Sequence, residues 1–354
     1  MAAPTSLFDI EVPASLIAHR PLPQRDQSRL MVLHRHQAGW AHHRFDALPA
    51  LLPPDALLVL NNTRVIPARL EGTRPGGAPC EALLVQELEP GRWCAMVKGA
   101  RRLRPGDRLS FADGRLVATA LRRDAEGRWE LAFDEPSTLR ERLGRYGEAP
   151  LPPYIERNGA GNSHRGWYQT CYARAEGSIA APTAGFHFTP DVFGALRARG
   201  IGWSELTLHV GVGTFLPIQN RDAEHHKMHR EWFEVPPETC RAVAEARRAG
   251  RPVVAVGTTT VRALESWARA GLNEHHAGHT ELFLRPGDAF LAVDGLITNF
   301  HQPASTLLQL VAAFHGEALI LEAYREAIAR AYRFFSYGDC MLILPAASIP
   351  LASR

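Results

Sequence analysis

Short apolar runs that stop at polar turns are the feature that most constrains how this chain can fold. Val253–Val256 runs into Gly257 and three threonines, and a helical pattern follows at once. Leu57–Leu60 stops in the same way at Asn61-Asn62. Apolar runs of this length are typical of buried strands, and helical patterns lie between them. The pattern therefore predicts an α/β scaffold.

The pattern changes between residues 67 and 149. Turn signals such as Pro105-Gly106-Asp107 and Asp113-Gly114 separate short strand-like runs. The runs are Glu81–Val85, Trp93–Val97, Leu116–Leu121 and Trp129–Phe133. Closely spaced strands joined by Gly-containing turns predict a small antiparallel barrel. We therefore predict a large α/β domain, residues 1–66 and 150–354, interrupted by a smaller antiparallel β-barrel domain, residues 67–149.

Composition limits the class of protein further. The 354 residues are 45% apolar and 22% charged, as in ordinary globular proteins. Five cysteines without a C-x-x-C pair favour a reducing, cytoplasmic compartment and argue against a cysteine zinc site. No apolar run reaches the roughly 20 residues of a membrane span, and no secretory signal is visible, so we expect no membrane segment. A net charge of +3 permits nucleic-acid binding without requiring it.

The stretch Gly177–Phe188 is too rich in small residues for an ordinary strand or helix. Thr183 and His187 bring a hydroxyl and an imidazole into it, and Gly185 permits close contacts. Thr189 then predicts the N-cap of a helix. Spacing alone leaves two interpretations open, a close-packed structural turn and a ligand-binding loop.

Polar residues also occur where other predicted strands end, which is where α/β proteins usually bind ligands. The set is Thr183, His187, His209, His229, Glu231, Thr258, Thr259, Arg262, Asn299 and His301. His225 and His229 have a spacing that helical metal ligands use, but Lys227 and Arg230 beside them oppose a cation, so we predict no metal site. The missing nucleophile elbow argues against an α/β hydrolase.

Basic residues cluster in the predicted barrel. Lys98, Arg101, Arg102 and Arg104 form one group, followed by Arg122, Arg123, Arg140, Arg142 and Arg145. Such residues form either a solvated surface or a face that follows a phosphate backbone. Both interpretations stay open at this point.

Motifs along nearly the whole chain occur in the order found in one family. They are Asn62–Arg69, Leu151–Ile155, Tyr168–Thr170, Ala180–Gly185, Thr207–Gly211, Met228–Glu231, Ala255–Thr259, Thr298–His301 and Tyr332–Asp339. In these motifs the chain resembles the S-adenosylmethionine:tRNA ribosyltransferase-isomerases of queuosine biosynthesis. Gln302, where the family normally has Leu, and His164–Trp167 depart from the family pattern.

The resemblance implies a transferase and isomerase reaction. The ribosyl part of S-adenosylmethionine is transferred to 7-aminomethyl-7-deazaguanine at the wobble position of tRNA. It rearranges to give epoxyqueuosine, and adenine and methionine are released. S-adenosylmethionine is then a consumed cosubstrate, with no true cofactor, and we expect a monomer in the cytoplasm. The alternative is a non-catalytic tRNA- or RNA-binding protein that uses the basic barrel.

The reaction needs a base beside the sulfonium and a donor at the departing adenine. The candidate catalytic residues are His209, His301, Glu231 and Asp339, with the two histidines as proton carriers. The candidate substrate-binding residues are Asn62, Arg64, Ala181, Pro182, Thr183, Gly185, His187, Thr214, His229, Thr258, Thr259, Arg262, Asn299, Arg333 and Tyr337.

Overall fold

A computed structural model describes residues 6–155, 163–211, 213 and 228–346. The strands are β1 (Arg29–His34), β2 (Ala41–Arg44), β3 (Leu57–Asn61), β4 (Thr63–Val65), β5 (Arg69–Thr73), β6 (Pro79–Glu89), β7 (Arg92–Lys98), β8 (Arg108–Phe111), β9 (Leu116–Arg123), β10 (Trp129–Phe133), β11 (Ala175–Ser178), β12 (Gly202–Leu208), β13 (Glu231–Val235), β14 (Val253–Val256), β15 (His276–Thr280), β16 (Gly295–Asn299) and β17 (Cys340–Leu344).

Eight α-helices lie among the described residues, with short 3₁₀ turns between elements. The helices are α1 (Leu48–Leu51), α2 (Leu139–Tyr146), α3 (Ser163–Trp167), α4 (Pro190–Ala198), α5 (Pro237–Arg248), α6 (Thr258–Arg269), α7 (Thr306–His315) and α8 (Glu317–Ala329). No single described helix is long and apolar enough to cross a membrane. Only α7 and α8 taken together pass on length and composition, and they meet at a bend of 112°.

A nine-stranded mixed sheet forms the centre of the larger part of the chain. Its strand order is β15-β13-β12-β3-β14-β16-β17-β1-β2. The four central strands β12, β3, β14 and β16 are parallel, so their carboxyl ends meet at one edge. Strand β17 is antiparallel to β16, which brings Cys340 opposite Asn299 and the start of β17 to the same edge. The polar turns that follow the predicted strands therefore lie together at this edge.

Helices cover both faces of the sheet because successive strand residues point to opposite sides. On β3, Leu57 and Val59 pack in one core with residues of α5, α6, α7 and α8. Leu58 and Leu60 pack in a second core with residues of α1 and α4. The α/β prediction is confirmed, and the strand predicted at Val253–Val256 coincides with β14.

The region predicted as a barrel forms a closed barrel of strands in the order β10-β7-β6-β5-β8-β9. All six strand pairs are antiparallel, and the interior is apolar. Strands β5 and β8 have no counterpart among the predicted runs because their short sequences mix polar and apolar residues. The barrel class is confirmed, while the domain boundaries at residues 67 and 149 stay a prediction.

Local signals placed the helix termini well. Thr189 accepts a hydrogen bond from the Val192 amide at the start of α4, as its N-cap role requires. Ser305 does the same for the Leu308 amide at the start of α7. Helix α5 ends at Arg248, two residues before Gly250.

Candidate active site

A cavity of about 270 Å³ opens at the carboxyl ends of β14 and β16. Seven of the predicted site residues line it, namely Ala181, Pro182, Thr183, Thr258, Thr259, Asn299 and His301. They come from three separate parts of the chain, and the sheet brings them together. The cavity therefore lies where an open α/β sheet usually binds its ligand.

The small-residue loop forms one wall of this cavity. Ala180 is bridged to Val210 beyond β12, and Thr183 begins a 3₁₀ turn that ends at His187. Gly185 lies on the far side of this turn, where a Cβ atom would be 2.0 Å from the Tyr172 hydroxyl. This part of the cavity wall is thus formed by Ala181, Pro182 and Thr183, while Gly185 permits close packing behind it.

A chain of hydrogen bonds holds the Asn299 amide at the cavity. The Thr183 hydroxyl donates to Asn299 Oδ1 at 3.3 Å, and Asn299 Nδ2 donates to the Phe335 carbonyl at 3.2 Å. The same Nδ2 lies 3.4 Å from His187 Nε2, which must then accept. His187 Nδ1 consequently carries the hydrogen and donates to the Ser28 hydroxyl at 2.7 Å. His187 is thus a buried support for Asn299.

The first turn of α6 faces the cavity through Thr258 and Thr259. The residue before the helix, Gly257, has φ of +90° and offers no side chain to occupy the free amides of that turn. A helix start of this kind favours an anionic group, because its N–H groups and dipole are positive there. The turn can therefore bind a carboxylate or a ligand hydroxyl.

Aromatic side chains form another part of the wall. Tyr154 and Phe335 both line the cavity, with ring centroids 4.9 Å apart, and Tyr168 lines it as well. The Tyr154 hydroxyl is 2.6 Å from that of Ser336, which fixes the ring. Among the described residues, the lining contains no carboxylate. The π-faces are thus groups able to attract a ligand cation.

His301 lies at the cavity with one ring nitrogen occupied. Its Nε2 atom is 2.6 Å from the Thr298 hydroxyl, and its carbonyl accepts from Tyr324. Burial lowers the pKa of His301 to about 4, so the imidazole is neutral near pH 7. Gln302, a departure from the family pattern, also lines the cavity.

Asn61 is a residue of this region to which sequence reasoning gave no role beyond a turn. It is fully buried at the end of β3. Its Oδ1 atom accepts from the amides of Thr63 and Leu208, and its Nδ2 atom donates to the Leu208 carbonyl and the Thr259 hydroxyl. All four bonds are 3.0 to 3.2 Å long. A buried asparagine directly after an apolar run was the available signal.

His209 lies away from the lining of this cavity as far as the structure describes it. Its Nδ1 atom is 2.8 Å from the Thr63 hydroxyl, and its ring stacks on Trp232 at 5.1 Å. Burial lowers the pKa of His209 to about 4. The two histidines expected as proton carriers are therefore in different environments, and one of them lies at the cavity.

The two predicted catalytic carboxylates are held in ion pairs. Glu231 pairs with Arg262, both side chains being under 5% exposed, and accepts from the Gly211 amide at 2.7 Å. Asp339 accepts from the Arg29 backbone amide and guanidinium and from the Arg333 amide. Neither carboxylate lines the described cavity, and each joins separate segments of the chain.

The other predicted residues are placed around this edge without lining the cavity. Asn62 bonds to Glu205 and Thr207, and Arg64 is exposed, 3.9 Å from Glu176. His229 lies against Gly213, Arg333 donates to the Arg20 carbonyl, and Tyr337 lies 3.2 Å from His164 Nδ1 and stacks on Phe186. Thr214 is outside the described residues.

No group of histidine, cysteine or carboxylate residues in the described part of the chain could hold a metal ion. His225, which belonged to the candidate cluster, lies outside that part. The cavity instead offers hydroxyls, an amide, an imidazole, a helix start and aromatic faces. This donor set suits an organic ligand with both anionic and cationic groups.

Fold and site together define an α/β protein with an added β-barrel and a ligand cavity at the carboxyl edge of its parallel strands. Comparison with known proteins gives the particular family. The family model described as "Queuosine biosynthesis protein" matches residues 5–343. The chain belongs to this queuosine biosynthesis family.

The most similar relatives include two that carry the same name, S-adenosylmethionine:tRNA ribosyltransferase-isomerase. One, from Anaeromyxobacter sp. (strain Fw109-5), is 51% identical over 95% of this chain and 97% of its own. The other, from Thermotoga maritima, is 48% identical over 96% of this chain and 99% of its own. A crystal structure of S-adenosylmethionine tRNA ribosyltransferase from Thermotoga maritima is similar too, with a TM-score of 0.56, 40% identity and coverage of 96% and 100%.

Burial of His187 predicts an acid-sensitive fold. Burial lowers its pKa to about 3 in the folded protein, against about 6.5 when unfolded. Between these values the unfolded chain binds a proton that the folded chain does not, so the free energy of unfolding falls as pH falls from 6.5 towards 3. The full effect is on the order of 5 kcal/mol. Denaturant titrations at pH 7 and pH 4.5 should show a smaller pH dependence for His187→Gln than for the wild type.

The matched control is His43→Gln, at an exposed histidine of β2. It should retain the wild-type pH dependence. Equal pH dependence in the wild type and His187→Gln would show that His187 does not titrate on unfolding in this way.

Proposed function

We propose that this chain is an S-adenosylmethionine:tRNA ribosyltransferase-isomerase, which transfers and isomerises the ribosyl part of S-adenosylmethionine onto 7-aminomethyl-7-deazaguanine in tRNA. The products are epoxyqueuosine in the tRNA, adenine and methionine. The observation that carries the proposal is identity of about half the residues, over nearly the whole length, to relatives of that name. A cavity lined by hydroxyl, amide and imidazole groups disfavours the alternative of a purely RNA-binding protein.

The cavity suits the charges of S-adenosylmethionine. The start of α6 at Thr258 would bind the carboxylate, since its amides are free and its dipole is positive there. The rings of Tyr154 and Phe335 would face the sulfonium cation. Thr183 and Asn299 would then bind polar groups of the ribose or adenine. S-adenosylmethionine is a consumed cosubstrate in this scheme.

His301 is the imidazole that we assign to the reacting part of the cosubstrate. It is the predicted proton carrier that lines the cavity, whereas His209 bonds to Thr63 and stacks on Trp232. Glu231 and Asp339 would serve the reaction through their ion pairs, which hold the strands and turns around the cavity. Arg262 would act through its ion pair with Glu231, and Arg333 through its backbone hydrogen bond to Asp339 and its side-chain bond to the Arg20 carbonyl.

The barrel offers a surface for tRNA phosphates. Lys98, Arg101, Arg102 and Arg104 are exposed, and no ion pair involves them in the described part of the chain. By contrast Arg122 pairs with Glu130. Unpaired cations can release counterions from a phosphate backbone, whereas paired ones are already neutralised. We propose that the group from Lys98 to Arg104 contacts tRNA and that the protein acts as a cytoplasmic monomer.

Product formation tests the proposed activity. Purified protein incubated with S-adenosylmethionine and tRNA carrying 7-aminomethyl-7-deazaguanine should yield epoxyqueuosine by mass spectrometry of the digested tRNA. Adenine and methionine should appear in equal amounts. Unchanged tRNA, under conditions in which the Thermotoga maritima relative is active, would refute the proposal.

The two histidines should differ in their effect on turnover. We expect His301→Asn to lower kcat for adenine release by about 10²- to 10³-fold, as loss of a polar group at the reacting centre does. His209→Asn should lower it less than about tenfold, because His209 is outside the lining. Circular dichroism melting curves would control for folding. A larger loss of kcat in the His209 variant would reverse the assignment.

The proposed tRNA surface predicts a salt-dependent defect. Replacing Lys98, Arg101, Arg102 and Arg104 together by Gln should raise the KM for tRNA by about tenfold or more and reduce the salt dependence of tRNA binding. The KM for S-adenosylmethionine should stay unchanged.

The matched control removes the same number of charges from exposed, ion-paired arginines of the barrel. These are Arg108, Arg115, Arg122 and Arg140. Equal defects in the two variants would show that overall barrel charge, and not this particular group, attracts tRNA.

A further inference from the structure

The Thr298 hydroxyl has one hydrogen-bond partner among the described residues, the Nε2 atom of His301 at 2.6 Å. Thr298 lies on β16 at the edge of the cavity lining, but it is 0% exposed, so no solvent reaches its hydroxyl to supply a second partner. A threonine hydroxyl has one hydrogen to donate and two lone pairs that can accept. The direction of this one bond therefore decides whether the hydroxyl hydrogen is satisfied.

The hydroxyl of Thr298 must be the donor in this bond. If it accepted from Nε2–H, its own hydrogen would point into a buried region with no acceptor among the described residues. A buried donor without an acceptor costs free energy, whereas an oxygen lone pair without a donor is common. Donation from Thr298 to Nε2 leaves only a lone pair unused.

The tautomer of His301 follows from that direction. Burial keeps the ring neutral near pH 7, so it carries one hydrogen in total. Because Nε2 accepts from Thr298, the hydrogen is on Nδ1. The Nδ1 atom has no hydrogen-bond partner in the described part of the chain. It is also not one of the buried side-chain atoms that lack a partner there, so it is not itself buried. It is thus open to the cavity that His301 lines.

We propose that Thr298 is a positioning residue that fixes His301 as the Nδ1–H tautomer, so that His301 presents a hydrogen-bond donor, not a base, to the cosubstrate. The inference rests on the proposed function for the identity of that cosubstrate. It decides between the two roles, base and donor, that sequence reasoning left open for this histidine.

A fixed donor suits the departure of adenine. When the bond between ribose and adenine breaks, its electron pair stays on adenine, and an N–H group aimed at adenine stabilises the added electron density. The hydrogen remains on Nδ1, so His301 ends the step neutral and in the same tautomer, and the adenine anion takes up its proton from water as it is released. Removal of the proton beside the sulfonium then falls to a group other than His301.

Nitrogen NMR of the ligand-free protein tests the tautomer directly. With ¹⁵N-labelled imidazoles, the His301 signals are identified by their loss in His301→Asn. We expect the wild type to show Nδ1–H and Thr298→Val to show a mixture of tautomers. A wild-type signal from Nε2–H would overturn the proposal. The NMR measurement requires no enzymatic turnover, so its result is independent of whether the protein makes epoxyqueuosine.

Kinetics test the positioning role. Thr298→Val, which keeps the shape of the side chain, should lower kcat for adenine release by about 10- to 100-fold. The KM for S-adenosylmethionine should change less than about threefold, and Thr298→Ser should restore most of the turnover.

The control is Thr239→Val at the start of α5, which also removes a buried hydroxyl but one that donates to the Glu205 carbonyl. It should keep wild-type kcat. Full turnover in Thr298→Val, or equal losses in Thr298→Val and Thr298→Ser, would overturn the proposal. If Thr298→Val does not fold, the wild-type NMR result still decides.

Discussion

The four hydrogen bonds of the Asn61 side chain are the interaction on which the candidate site depends. They join the end of β3 to the end of β12 and to Thr259 in the first turn of α6. A buried amide must find partners for both its oxygen and its nitrogen, and the observed arrangement of these three elements supplies them. That arrangement places the start of α6 at the cavity.

The same principle of complete pairing operates around the two neutral histidines at this edge. Asn299 occupies Nε2 of His187, and Thr298 occupies Nε2 of His301. In both rings the neighbour thus places the hydrogen on Nδ1, which His187 directs to Ser28 and His301 to the cavity. One ring therefore supports the site, while the other is available to a ligand. Burial keeps both rings uncharged, which the unperturbed pKa of histidine would not ensure.

Sequence patterns predicted the scaffold better than the roles of the site residues. The apolar run at β14, the N-cap of α4 and the barrel class depend on neighbours in sequence, and the structure confirms them. Strands β5 and β8 were missed because barrel closure, and not their own composition, makes them strands. The sequence also left open whether the basic residues at 98–145 form a solvated surface or follow a phosphate backbone, and several of these arginines form ion pairs with carboxylates that no local pattern predicts.

The sequence by itself determined the α/β class, the barrel and the family, because these follow from periodicity, turn residues and long motifs. The tertiary structure decided which polar residues share a cavity. It placed His301 there with Thr298 behind it, and it gave Glu231 and Asp339 arginine partners instead. The physical reason is that pairing is non-local. Ser28 and His187 are 159 positions apart, and Arg29 and Asp339 are 310 apart. A local sequence pattern therefore cannot predict which side chain neutralises or orients another.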